Sequence, residues 1–183
     1  SAQWYTGVHD AIAPGKALDP DKYFIIVPDM FCDGLSSSTN NTAPPYDRGR
    51  FPSVTPYDNV IAQQRLCIEK FGLDQPRLVV GYSISAQQAS HWETLFPSMV
   101  HWIAPICGSP KTSTYNWLFL DGVKRGLAAD AHWAGGGYTE PPEDGLRAFT
   151  TVYASWVLSQ TGHRKGGILS LAGQNFGSIV CTP

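Results

Sequence analysis

Charge is scarce in this sequence. Only 15% of the 183 residues are Asp, Glu, Lys or Arg, and the formal net charge is −2. With 43% hydrophobic residues the chain has enough apolar material for a core and does not fall in the disordered class. So even a charge balance gives no electrostatic reason to expect nucleic acid or an anionic membrane as a partner. Long apolar runs are missing too, and none approaches the roughly 18 residues that span a bilayer. Ser1-Ala2-Gln3-Trp4 shows no basic leader ahead of an apolar stretch, so the expected compartment is the cytoplasm. Cysteine is sparse: Cys32, Cys67, Cys107 and Cys181 lie far apart, with no C-x-x-C pair and no histidine at zinc spacing. They read as buried free thiols, and no metal site is expected. A small-molecule substrate or a protein partner is what remains.

No repeat or linker divides the chain, so residues 1–183 read as one domain: a sheet core over 1–108, a helical region over 109–165, and an unassigned tail over 166–183. Tyr23-Phe24-Ile25-Ile26-Val27 is a short continuous apolar run, the pattern of a buried parallel strand. Asp58 is a candidate N-cap for a helix reaching about Phe71, with Val60, Cys67, Ile68 and Phe71 on one face. A second strand is expected over Arg77-Leu78-Val79-Val80, a helix from Ile84 to Phe96, and a third strand from Val100 to Ile106. Strands alternating with helices in this order predict an α/β fold, a parallel sheet with flanking helices. Helices are expected near 117–129 and 146–160.

The chemistry concentrates at Gly81-Tyr82-Ser83-Ile84-Ser85, directly after the apolar Leu78-Val79-Val80. A serine on a sharp strand-to-helix turn can present its hydroxyl at the carboxyl edge of a sheet. The next backbone N–H, that of Ile84, then points toward a developing oxyanion. Small residues are required two before and two after such a serine; Gly81 satisfies this fully and Ser85 nearly so. The competing reading is an ordinary solvent-facing turn in which the serine caps a helix.

Several ordered segments carry a wider resemblance. They are Asp29-Met30-Phe31, Gly34-Leu35-Ser36-Ser37, Arg50 through Val60, Gly81-Tyr82-Ser83 through Gln87-Gln88, Ile106-Cys107-Gly108-Ser109 and Tyr138-Thr139-Glu140-Pro141-Pro142. Together they resemble the homoserine O-acetyltransferase-like branch of the α/β-hydrolase fold, from about Trp4 to about Arg164. The resemblance implies a truncated α/β-hydrolase-like core plus a helical lid-like region. Ser83 would be the nucleophile, taking an acyl group from a thioester such as acetyl-CoA and passing it to an alcohol; acyl-CoA is then a co-substrate rather than a bound cofactor. It also implies that Trp4-Tyr5-Thr6-Gly7 is the oxyanion loop, with the Tyr5 N–H as second donor, although the same aromatic pair is equally readable as packing.

Measured against that family, the chain begins at the oxyanion loop and stops before the strands that would carry the triad's aspartate and histidine. Where a substrate-binding arginine is expected, Thr150-Thr151 stand instead. His9, after the oxyanion loop, is the candidate base; His91 and His101 read as packing or capping residues, and Asp29 and Asp33 as turn caps. Two further functional readings stay open: an esterase of the same fold, and a triad-deficient, non-hydrolytic member that binds a small molecule or partner or promotes a reaction by orientation. The tryptophans 92, 102, 117, 133 and 156 read as core and lid packing, as the lining of an apolar cavity, or as surface covered by another chain. Uncovered strand edges make a homodimer the expected assembly.

Overall fold

The computed structural model describes residues 11–157 and 159–165. These form two compact units: residues 11–38 with 52–112, and residues 39–51 with 113–157 and 159–165.

The first unit is built around two parallel strands, β1 (Leu78–Tyr82) and β2 (Trp102–Ile106), paired in register from Leu78 opposite Trp102 to Tyr82 opposite Ile106. Parallel neighbours cannot be joined by a tight turn, and the connection here is a helix of 12 residues, α2 (Ile84–Leu95). Helix α1 (Pro56–Arg65) packs on α2, and α2 lies against both strands. Ala86, Ala89 and Trp92 are the buried apolar residues of α2, and Val60 of α1 is fully buried. Alanine at two of these positions lets the helix lie close to the sheet, as its sequence suggests.

Four expectations need correction. Tyr23–Val27 forms no ladder with any described residue, and Phe24 and Val27 are 71% and 62% exposed. An apolar run signals a need for burial, but a strand is made by pairing with a neighbour, and the described sheet pairs only β1 with β2. The α1 cap is Thr55 rather than Asp58. Thr55 accepts from the Asp58 N–H while Asp58 accepts from the Thr55 N–H at 2.8 Å, a reciprocal capping box with Pro56 in the first turn. Helix α1 passes into a wider turn over Leu66–Lys70, which takes Ile68 and Phe71 out of the core and leaves them exposed. Among the cysteines, Cys32, Cys67 and Cys107 are free, yet Cys32 and Cys107 are exposed rather than buried. Cys181 lies outside the described residues.

The second unit pairs α3 (Thr114–Ala128) with α4 (Glu143–Val157), followed by the short α5 (Gln160–Arg164). Both long helices start a few residues earlier than the sequence suggests. Their contact is aromatic: Trp156 stacks on Phe119 at 4.7 Å and tilts against Tyr115 at 4.8 Å, and Tyr153 meets Phe119 at 5.7 Å. The i, i+4 spacing of Tyr115 and Phe119 puts both rings on one face of α3. Asp130 ties the helix ends together, accepting from the N–H groups of His132 (2.8 Å) and Gly145 (2.9 Å), and these bonds hold its carboxyl below its ordinary pKa of 3.8. Among the described residues no helix is long and apolar enough to cross a membrane.

The capping box predicts a pH signature. Hydrogen bonds from Thr55 lower the Asp58 pKa below its ordinary 3.8 in the folded chain. A lowered folded-state pKa contributes stability above the unfolded value and loses it as pH falls through the folded value. Asp58→Asn should therefore be less stable than the parent at pH 7. In urea titrations that difference should hold down to about pH 5 and shrink below about pH 4; a difference independent of pH would remove Asp58 as its source.

Candidate active site

Ser83 sits where β1 ends and α2 begins, with φ 57° and ψ −118°. It is exposed, and it lies outside the regular helix at the N-cap position, where its side chain makes no cap hydrogen bond. The capping interpretation of this serine is thereby excluded. A left-handed φ is rare for a residue with a Cβ and persists only where surroundings impose it. Here they do. The Ser83 N–H donates to the Ile106 carbonyl at 2.9 Å, carrying the β1–β2 ladder one residue into the turn, and the Ala86 N–H donates to the Ser83 carbonyl at 3.0 Å.

Two glycines make the bend sterically feasible. A Cβ on Gly81 would lie 2.0 Å from the Ser85 carbonyl oxygen, and one on Gly108 would lie 2.5 Å from the Ala86 Cβ and 2.6 Å from the Ser83 carbonyl oxygen. The crowding at Gly81 runs through the backbone of Ser85, not through its side chain. Position 81 must therefore be glycine. Ile84 opens α2, so its N–H belongs to the set with no acceptor inside the helix, and the helix dipole adds positive potential there.

The flanking loop, residues 29–38, is held by its own hydrogen bonds. The Asp29 carboxylate accepts from the N–H groups of Leu35 (3.0 Å) and Ser36 (2.6 Å), so Asp29 caps a turn as the sequence suggests. The buried Ser38 hydroxyl accepts from the Gly34 N–H and donates to the Ser36 carbonyl. At the end of β2, hydrogen bonding with Cys107 raises the Tyr82 pKa above its ordinary 10.0.

Side-chain amides that the sequence reading did not single out join this loop to the helices; Asn59 and Gln88 are buried and Gln63 is half-buried. The Phe31 N–H donates to Asn59 Oδ1 at 2.9 Å, while Asn59 Nδ2 donates to the Thr55 carbonyl at 3.1 Å. Trp92 Nε1 donates to Gln63 Oε1 at 2.9 Å, Gln63 Nε2 to Gln88 Oε1 at 2.6 Å, and Gln88 Nε2 meets the Met30 sulfur. A signal was present: Asn59 and Gln63, and Gln88 and Trp92, are spaced i, i+4 beside buried apolar residues, polar positions on faces that must pack.

Of the described histidines in this unit, neither reaches the serine. His101 precedes β2 and therefore sits at the opposite edge of the sheet, about 20 Å from Ser83 along the strands at ~3.3 Å per residue. His91 lies about 12 Å down α2 at ~1.5 Å per residue, and its Nδ1 pairs with the Gln87 carbonyl at 2.9 Å. Tyr5 and His9 fall outside the described residues. No group of His, Cys, Asp and Glu able to hold a metal occurs among the described residues.

Solved structures share this architecture. An acetylester hydrolase from Corynebacterium glutamicum superimposes with a TM-score of 0.84 at 35% identity, covering 91% of this chain and 49% of that one. The acetyl esterase MekB gives 0.82 at 33% identity, covering 88% and 47%. The fold is that of the α/β-hydrolases. Homologues of this α/β-hydrolase chain include esterases and homoserine O-acetyltransferases. A probable esterase of Corynebacterium glutamicum is 38% identical over 164 residues, 85% of this chain and 47% of that protein. An ethyl acetate hydrolase of Pseudomonas veronii is 37% identical, covering 74% and 40%. A homoserine O-acetyltransferase of Trichormus variabilis is 33% identical, covering 84% and 45%. The chain thus spans about half the length of the curated relatives it matches. No family model matches it.

The steric account of the turn is testable without any assay of function. Gly81→Ala forces a Cβ into a backbone carbonyl, and Gly108→Ala presses on both Ala86 and Ser83. Each should cost about 3 kcal/mol or more, read as a lower midpoint in thermal or urea denaturation. Gly72→Ala, at an exposed helix end with open space around it, should cost less than either. Equal costs at all three sites would contradict the crowding.

Proposed function

We propose that this chain carries the nucleophile of an α/β-hydrolase ester-processing enzyme, with Ser83 as the residue acylated. The observation that carries the reading is the exposed Ser83 at φ 57°, ψ −118°, set between a parallel strand and a helix N-terminus. In this reading Ser83 Oγ attacks the carbonyl carbon of an ester and its proton passes to a base. The oxyanion that forms is held by the Ile84 N–H, with the Tyr5 N–H as second donor. Collapse breaks the bond to the alcohol, which leaves with the proton, and the acyl group stays on Ser83. A serine hydroxyl at neutral pH needs that base. His91 and His101 are set aside by their positions, and His9 is carried forward as the candidate within the chain.

Water is the acceptor this reading favours, because the relatives at 38% and 37% identity are named as an esterase and a hydrolase. The second reading, transfer of an acetyl group from acyl-CoA to an alcohol, is supported by homoserine O-acetyltransferases at 33% identity. The two differ in whether an added alcohol is acylated at the expense of hydrolysis.

A fluorophosphonate should add to Ser83, detected by peptide mass. Ser83→Ala should abolish the adduct and reduce ester turnover at least about a thousandfold. Adduct on another residue, or undiminished turnover in the variant, would sink the proposal.

A further inference from the structure

The second unit holds a cleft of about 370 Å³, and none of its lining residues belongs to the serine turn. One side is the turn Arg48–Arg50 with Asp47 before it; the other is Ala134, Gly135 and Gly137. The two sides are fitted at the backbone. A Cβ on Gly49 would lie 2.6 Å from the Gly135 carbonyl oxygen, and one on Gly136 would lie 3.2 Å from the Gly49 Cα. Among the described residues of this unit, the non-glycine residues at left-handed φ are Arg48 (49°) and Ala134 (46°), and both line the cleft. Glycine would occupy such an angle without strain. An arginine kept there points to a use for its side chain.

The donors of this cleft are its guanidiniums. Arg50 is pinned, with Nε donating to the Pro45 carbonyl at 3.2 Å and Nη2 to the Asp47 carboxylate. That bond holds the Asp47 pKa below its ordinary 3.8, so the carboxylate is charged at neutral pH and offsets one arginine. Arg48 spends Nη1 on the Tyr138 carbonyl at 3.3 Å and makes no ion pair among the described residues. Its other N–H donors are left over, in the planar fork that matches two oxygens of one anion. We propose that this cleft binds the carboxylate or phosphate group of a small molecule, with Arg48 as the residue that grips it and the Arg50–Asp47 pair as the brace that fixes the turn. Two guanidiniums against one carboxylate leave the lining positive on a chain whose formal net charge is −2. Apart from these charged groups the lining is glycine and alanine, which give an apolar ligand little to bury against. The cleft is open to solvent, so binding is expected to be weak and sensitive to salt. The site uses no residue of the first unit and stands or falls independently of Ser83.

The 183-residue chain is titrated calorimetrically with inorganic phosphate and, separately, with succinate, at an ionic strength of about 0.02 M. The parent is compared with Arg48→Gln, Arg48→Lys and Lys124→Gln, the last removing an exposed charge of α3 outside the cleft. Saturable binding is expected in the parent. Kd should rise at least about fivefold in Arg48→Gln and stay unchanged in Lys124→Gln. Arg48→Lys keeps the charge and loses the fork, and should raise Kd at least about twofold. Tighter binding of phosphate marks a phosphorylated ligand, and tighter binding of succinate a carboxylic acid. No saturable binding of either anion overturns the site, as does an equal loss in Lys124→Gln and Arg48→Gln. Should Arg48→Gln fail to fold, Arg48→Lys decides, and an unchanged Kd there overturns the assignment.

Discussion

A side chain held at left-handed φ costs of order 1–3 kcal/mol unless it is glycine, and of the three such residues in the first unit, Cys32, Ser83 and Cys107, the strand-to-helix turn is built on Ser83. Ser83 occupies that conformation because three independent restraints leave it no other. The β1–β2 ladder extends into the turn through the Ser83 N–H, α2 begins at the next residue and takes the Ser83 carbonyl into its first turn, and glycines at 81 and 108 clear the space. Each restraint is ordinary α/β construction. Their coincidence at one serine sets this turn apart from an ordinary helix cap.

Around this turn the chain spends its buried polar groups on placing a loop. Asn59, Gln63 and Gln88 project from two helices into the packed region and connect α1, α2 and residues 30–31 through amide hydrogen bonds. Buried amides left unpaired would cost more than they contribute, so the loop, once seated, is expensive to move. Loop 29–38 is also closed on itself through Asp29 and Ser38.

The chain order of strand, turn and helix was legible because it depends on local pattern: the apolar run of 78–80, glycine at 81, and alanines at 86 and 89. The serine's role as a bend residue was legible for the same reason, and the small-residue requirement at 81 is borne out to the ångström. What escaped was non-local. Tyr23–Val27 has a strand's composition, yet a ladder depends on a neighbour that no single segment encodes. The cap of α1 was placed three residues late because Thr55 and Asp58 cap reciprocally, so either one alone looks like the N-terminus. The pairing of Gln63 with Gln88 depends on two helices packing together, which neither segment encodes alone. Cys32 and Cys107 are exposed and stand at positive φ in turns, neither of which sequence spacing reports.

The central claim is that the fold imposes a strained backbone on residue 83 and that serine is kept there despite the strain. Comparing the stabilities of Ser83→Gly and Ser83→Ala isolates this, since both remove the hydroxyl and only glycine relaxes at positive φ. The account predicts that Ser83→Gly is the more stable of the two by about 1–3 kcal/mol in urea denaturation. Equal stability, or a less stable glycine variant, would contradict it.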